Sequence, residues 1–438
     1  MIADRVIVCL ASAWDYDPTS KHHVMRILSR CNKIVWVNHH GSRKPAPSAS
    51  DIGTALNRLG EVARGVRRVN DSMVQVTPLV IPGATTAPAR WLNRRLLTAQ
   101  IKRAIRAVSP GHQLPVQVWT FAPDVAYLVG AFDEECFVYY CVDEFSSFAG
   151  FDRTSIVRVE AELLDKADVV ITTSQAILET KRQRRPDAQL VRHGVAFDHF
   201  ATAWRNAPPL PEDIRSIPKP MFGFFGLIHH WIDVDLIAAV ARSRPQYQFV
   251  LIGETKVDVR ALQALPNVHL LGRRDHQTLP AYCRAFSAGL LPFTCTEMTR
   301  NVNPIKMWEY LAAGLPIVST ALPEVQRQGW PVRIADSAEA FAVACDEIIA
   351  EQATLDRPAI AETVAHLDWE KKVAALCEIV ERPRPVHRKR GQSSAAHERA
   401  HPPQTARSSD VQAPALPLVL KAYAETKNPT EAASPGRQ

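Results

Sequence analysis

The chain has 438 residues, 46% apolar and 22% charged, with a formal net charge of +7, which suggests a soluble globular protein of two or three domains. Its eight cysteines form no CxxC pair and no zinc-ligand spacing with histidine. That pattern excludes a zinc module and reads as reduced thiols in a cytoplasmic protein.

The N-terminus carries Asp4 and Arg5 within a short apolar run, so it reads as a first strand and not as a signal peptide. Candidate strands follow at Arg5–Leu10, Lys33–Val37, Met73–Val76, Val116–Thr120, Phe137–Val142, Asp168–Thr173 and Gln189–Arg192. Helical patterns such as His22–Arg30 and Arg153–Lys166 lie between them, which predicts a parallel, doubly wound sheet. The longest uncharged run, Ser72–Ala89, is broken by Pro78, Pro82 and Pro88 and fails as a membrane span.

Charge is unevenly spread. Residues 41–110 hold twelve lysines and arginines against three acidic residues, whereas residues 121–170 hold eleven acidic residues against three basic. Within the basic block, Leu97, Ile101, Ala104, Ile105 and Val108 gather on one side of a helix. Arg95, Lys102, Arg103 and Arg106 gather on the other, with Arg58, Arg64, Arg67 and Arg68 upstream. A solvated helix face accounts for the block; so does an anionic membrane surface, with no nucleic acid expected.

Five prolines in Ala207–Pro220 read as a linker. A second α/β series begins after it, with strands at Met221–Phe225, Phe249–Ile252, Val268–Leu271, Ala288–Pro292, Pro316–Ser319 and Val332–Ile334. The expected organisation is an N-terminal Rossmann-like domain (1–206), a linker (207–220), a C-terminal Rossmann-like domain (221–365), a crossing helix (366–381) and a disordered tail (382–438). The tail includes the basic cluster His387-Arg388-Lys389-Arg390. In open α/β sheets ligands bind beyond the carboxyl ends of the strands, so the cleft between the two domains is the expected site.

The segment Asn301-Val-Asn303-Pro-Ile-Lys306-Met-Trp-Glu309-Tyr-Leu-Ala-Ala-Gly314 carries the most chemistry. Asn303 suits an N-cap, Pro304 the first helical position and Gly314 the helix stop. Such a helix start presents N–H groups to a diphosphate. Lys306 and Glu309 share a face, the cation placed for phosphate and the carboxylate for two ribose hydroxyls; an ordinary exposed Lys–Glu pair has the same spacing. In the first half, Asp143 and Glu144 end a strand. Asp143 is a candidate general base on an acceptor hydroxyl, or a capping residue in a solvated turn. Trp14 and Asp15 follow the first strand and, with His23 on the next helix, are candidates for the acceptor side; His22 sits beside them.

The 301–320 segment resembles the donor-binding motif of GT-B glycosyltransferases, in particular the large retaining "glycosyl transferases group 1" family. That motif has two glutamates eight residues apart before a Gly-x-Pro strand. Glu309 matches the second; Asn301 stands where the family has the first. The Pro-x-Lys-x-x-Glu-Tyr-Leu form resembles teichuronic-acid and xanthan-type transferases, which implies that Lys306 contacts the donor diphosphate. Phe222-Gly-Phe-Phe-Gly226 resembles the first strand and glycine turn of a donor domain. His229-His230 stands near the family's Arg/Lys pair, and Gly253 and Arg273 lie at strand ends near the base. The resemblance covers most of residues 1–381 and implies a GT-B fold with Lys306 also stabilising the leaving diphosphate. It implies transfer of a sugar from a nucleotide-diphosphate donor to a glycan or lipid-linked acceptor. No Asp-x-Asp metal motif lies at a plausible strand end, because Asp233-Val-Asp235 falls in an apparent helix, so neither metal nor cofactor is expected. Two other readings fit the same residues: a sugar-nucleotide 2-epimerase, which needs no acceptor, and a non-catalytic nucleotide-sugar-binding protein.

Overall fold

The computed structural model describes residues 1–15, 18–39, 60–81, 84, 86–111, 114–148, 151–326 and 329–383. The expected tail from residue 384 on, with its basic cluster, and Arg58 lie outside the described residues.

Two sheets organise the chain. Among the described residues the first has β1 (Val6–Ala11), β2 (Lys33–Asn38), β3 (Val66–Asn70), β4 (Met73–Val76), β5 (Val116–Thr120), β6 (Cys136–Cys141), β7 (Val169–Thr172) and β8 (Gln189–Leu190). Their spatial order is β3-β4-β2-β1-β5-β6-β7-β8. All pairs are parallel except β3–β4. The second sheet has β9 (Met221–Phe225), β10 (Gln248–Ile252), β11 (Val268–Gly272), β12 (Ala288–Leu291), β13 (Ile317–Ser319) and β14 (Val332–Ile334). Its order is β11-β10-β9-β12-β13-β14, parallel throughout. Strand order reverses at β1/β5 in the first sheet and at β9/β12 in the second, so a crevice opens beyond the carboxyl ends at each place.

Every residue of β1 is buried, because helices cover both faces of a parallel sheet. Val6, Val8 and Leu10 join one apolar core with Leu97, Ile101, Ala104 and Val108 of the Ala87–Val108 helix. Ile7, Cys9 and Ala11 point the other way, toward Val24 and Met25 of the Ser20–Leu28 helix. That second core also takes Trp369, Val373, Leu376 and Val380 of the final Trp369–Glu381 helix. The last helix therefore crosses back onto the first domain, as expected.

Three local expectations change. The strand β3 was hidden by Arg67 and Arg68, which look like part of a charged block. It is the antiparallel edge of the sheet, and basic side chains on an edge strand discourage further strand pairing. The crossover between domains also comes earlier than residue 206. Val195, Phe197, Phe200 and Ala203 belong to the second core, and Trp204 Nε1 donates to the carbonyl of Ala312 at 3.1 Å. The proline-rich run is likewise packed down. Ile214 is fully buried in the second core, and Asp213 accepts from Arg274 Nε at 2.9 Å and from the Tyr282 hydroxyl. Apolar and ionic contacts here outweigh what proline content alone indicates.

Histidines held neutral by burial, His22 and His193 among them, give the fold a pH dependence. Burial pushes the pKa of His22 down to about 4 and that of His193 down to about 3. In the unfolded chain both protonate below about 6.5, so the unfolded state binds more protons as the pH falls. Stability is therefore complete above about 6.5 and declines below it, by up to about 1.4 kcal/mol per pH unit per histidine. Thermal unfolding at pH 7.5 and pH 5.0 checks this. The midpoint should drop clearly at pH 5.0, where few carboxylates have yet titrated, and His193→Gln should reduce the dependence by its own share. An unchanged midpoint would remove this role from the histidines.

Candidate active site

The crevice at β9/β12 is built around two glycines. Gly226 ends β9 and Gly253 ends β10, with φ of +134° and +152°. A Cβ on Gly253 would sit 1.9 Å from the Gly226 carbonyl oxygen, and one on Gly226 would sit 2.1 Å from Lys306 Cε and 2.7 Å from Nζ. Both turns thus need glycine, and Lys306 lies directly over the first of them.

Lys306 is in the first turn of the Ile305–Ala312 helix. Residues 307–312 are all buried, so Lys306 and Glu309 are not an exposed surface pair. Tyr310 fixes the helix to the strand, its hydroxyl oxygen accepting from the Phe225 N–H at 3.0 Å. Glu309 is 8% exposed. His276, in the short turn after β11, brings Nε2 to 3.3 Å from Glu309 Oε1.

Asn303 departs from expectation. The N-cap position is held by Pro304, without a side-chain cap. Asn303 is buried and bridges the domains: its Nδ2 donates to the Thr173 carbonyl at 2.9 Å, and its Oδ1 accepts from Trp308 Nε1 at 2.9 Å. A buried amide satisfied at both ends is worth more here than a cap open to solvent. Thr173 Oγ1 in turn donates to the Val142 carbonyl at 3.0 Å. The second-domain wall that carries Lys306 is thereby tied, through Thr173, to the first-domain segment that carries Asp143.

Further ties join the walls. Glu324, 2% exposed, accepts from the Gln175 N–H at 2.7 Å and from Arg192 Nε at 2.8 Å. Arg153 pairs with Glu297 through two bonds of 2.9 and 2.7 Å. On the first-domain wall, burial raises the pKa of Asp143 and the Lys21 ammonium opposes the rise. Lys21 itself is lowered by burial, with Asp143 acting against that.

The remaining predicted residues separate. His23 faces the cleft, its ring 6.5 Å from His276 and stacked 5.1 Å from Trp369; burial, then His276, holds its pKa down to about 3. His229 lies on the loop after Gly226, stacked on Trp231 at 4.4 Å. Burial, then His230 and Lys256, lower its pKa. Trp14 turns inward against Trp36 and His22. Asp15 is engaged by Arg67 at 2.9 Å and by Gln75 at 3.3 Å, on the β3–β4 side. Asn301 closes the Glu297–Arg300 helix, donating to the Glu297 carbonyl at 2.7 Å. Arg273 is exposed at the end of the edge strand β11. Asp233 caps the Val234–Ser243 helix through the Leu236 N–H. Local spacing carries no signal for His276, Lys21, Thr173 or Glu324, which enter only through the fold. A groove of about 630 Å³ lined by Trp204, Arg284 and Arg357 is not the site. Arg357 binds the carbonyl of Phe286, just before β12, which puts the groove at the amino edge of the sheet.

Two doubly wound domains, a glycine-lined crevice and a returning C-terminal helix define the GT-B glycosyltransferase fold. Residues 219–351 match the family Glycosyl transferases group 1. The chain is 26% identical over 258 residues to TuaH of Bacillus subtilis (strain 168), named as a teichuronic acid biosynthesis glycosyltransferase; the match covers 53% of this chain. The chain spans 64% of the length of that relative. Among solved structures it is similar to Anabaena Alr3699/HepE in complex with UDP, with a TM-score of 0.59 and 13% identity. That match covers 86% of this chain and 98% of the other. It is also similar to the UDP-forming trehalose-phosphate synthase of Burkholderia xenovorans, with a TM-score of 0.59 and 10% identity over 87% and 99% of the two chains.

Proposed function

We propose that the protein transfers a sugar from a nucleotide-diphosphate donor to a hydroxyl of a glycan or lipid-linked acceptor, in polysaccharide or cell-surface glycan biosynthesis. The observation that carries this reading is Lys306 lying over Gly226 at the β9/β12 crevice, with Glu309 one turn on. Lys306 and the helix N-terminus take the diphosphate and stabilise its charge as it leaves. Glu309 accepts from the ribose hydroxyls. Asp143 takes the acceptor proton. The complexes of HepE with UDP and UDP-glucose support a nucleotide-sugar donor. The resemblance to TuaH supports a surface-glycan acceptor.

Thermal stabilisation by a panel of UDP-, GDP- and TDP-sugars, followed by product analysis with and without lipid-linked saccharides, tests the reading. Release of nucleoside diphosphate that depends on acceptor supports it. A donor epimerised with no acceptor present would replace it with a 2-epimerase, and binding without turnover would replace it with a binding protein.

The first domain carries a surface suited to an anionic membrane. No helix among the described residues is long and apolar enough to cross a membrane. Leu97, Ile101, Ala104 and Val108 are in the core, so only the opposite face of the Ala87–Val108 helix is available. That face presents Arg95, Lys102, Arg103 and Arg106 together with Trp91 and Leu92, and Leu79 and Ile81 are exposed beside it. Arg95 lies over the Trp91 ring at 4.3 Å. Four basic residues near an anionic leaflet contribute about 1 kcal/mol each, and the aromatic and aliphatic tips suit the interface. The protein should bind anionic liposomes at low salt, release as salt rises, and ignore neutral ones. Replacing the four basic residues by glutamine should abolish binding without unfolding the chain. Equal binding to neutral vesicles would sink the assignment.

A further inference from the structure

We propose that His276 is a positioning residue that sets the nucleotide specificity of the site by fixing the Glu309 carboxylate for the ribose diol. The inference rests on the donor-site reading above and adds to it a residue that lies outside the 301–320 motif.

The geometry begins with Glu309. Its side chain is 10% exposed and that of His276 14%, so the pair is largely sheltered from water. His276 Nε2 lies 3.3 Å from Glu309 Oε1. Among the described residues no hydrogen bond reaches Oε2. A carboxylate held through one oxygen keeps one face defined while the other oxygen, and the second lone pair of the first, stay open to two adjacent hydroxyls. Without the imidazole, the terminal torsion of a glutamate is broad, and the two acceptors would not be aligned with a rigid cis-diol.

The imidazole is itself held from several sides. Its ring stacks on His199 at 5.2 Å and meets the edge of Phe200 at 5.5 Å. His199 Nε2 bonds the His276 backbone carbonyl at 3.1 Å. Asp275 caps the turn, its carboxylate accepting from the Gln277 N–H at 2.8 Å. His199 and Phe200 belong to the helix that follows the domain crossover, and His23 of the first domain stands 6.5 Å from His276. Such support is what a residue needs if it is to hold another group to within a few tenths of an ångström.

The proposed role makes a prediction that a purely structural one does not. Fixing the diol acceptor matters to a ribonucleotide and not to its 2′-deoxy analogue. The test uses the full chain and calorimetry with whichever of UDP, GDP and ADP the wild type binds most tightly, alongside the 2′-deoxy form of the same nucleotide. His276→Leu should weaken the ribonucleotide roughly tenfold and leave the deoxynucleotide nearly unchanged, so that discrimination collapses. His276→Asn and His276→Gln, which keep an N–H donor, should restore part of it. Equal loss for both nucleotides, or no loss for either, overturns the role of His276. A wild type that binds none of the three nucleotides, or Glu309→Gln with the wild-type ribose preference, instead overturns the donor-site reading beneath it.

Discussion

Asp143→Asn is expected to cut sugar transfer by about 10²–10⁴-fold, the range over which a positioned general base contributes, while nucleotide affinity stays near the wild-type value. The substitution keeps shape and removes only the basic oxygen. Asp143 follows β6, next to the Val142 carbonyl that Thr173 binds, and Thr173 is tied in turn to Asn303, just before the Ile305–Ala312 helix. That chain of contacts ties the segment carrying Asp143 to the segment carrying Asn303. Burial raises its pKa above the usual aspartate value, which makes it a stronger base than a solvated carboxylate. A base must be deprotonated, so the transfer rate should rise with pH through the Asp143 pKa and lose that acid limb in the variant. Lys21 works against the rise, so Lys21→Met should move the acid limb to higher pH. Substantial transfer by Asp143→Asn would leave the residue a binding or structural role.

The largest structural effect is expected from Gly253→Ala. The added Cβ would fall 1.9 Å from the Gly226 carbonyl oxygen, at a φ of +152°. The clash is with backbone, so it cannot be relieved by a side-chain rotation. Strain at such a φ costs about 1–3 kcal/mol, and forcing apart a packed contact costs about 1–3 kcal/mol more. Any relaxation must move the Gly226 turn, and with it the surface on which Lys306 rests. Chemical denaturation should show the lost stability, and calorimetry should show nucleoside-diphosphate binding weakened at least tenfold in whatever variant still folds. Wild-type stability and affinity together would mean that the two turns do not form the phosphate crevice.

The glycine turns and the Lys306–Glu309 helix were legible in the sequence, because their parts are local. Gly226 and Gly253 sit where buried strands end, and Lys306 and Glu309 are separated by less than one helical turn. Helix geometry brings them to one side whatever the rest of the chain does. The strands were legible for a similar reason: parallel strands covered on both faces read as continuous apolar runs. The strand β3 escaped because an edge strand buries little, and its arginines dominate the pattern.

Only tertiary structure decided what the polar residues between these landmarks do. Asn303 reads as a cap, but its amide reaches a carbonyl 130 residues away. His276 meets Glu309 across 33 residues, and Glu324 meets Gln175 across 149. Asp15, read as part of the acceptor side, forms instead an exposed pair with Arg67 on an edge strand that the sequence did not reveal. A short polar side chain has several partners of similar strength available, and its own neighbours in the chain do not rank them. The choice falls to whichever partner burial brings within about 3 Å, because an unpaired polar group costs far more inside the protein than in water. Backbone periodicity and glycine turns are settled within a few residues of chain, whereas the pairing of buried polar groups waits for the tertiary fold to bring distant segments together.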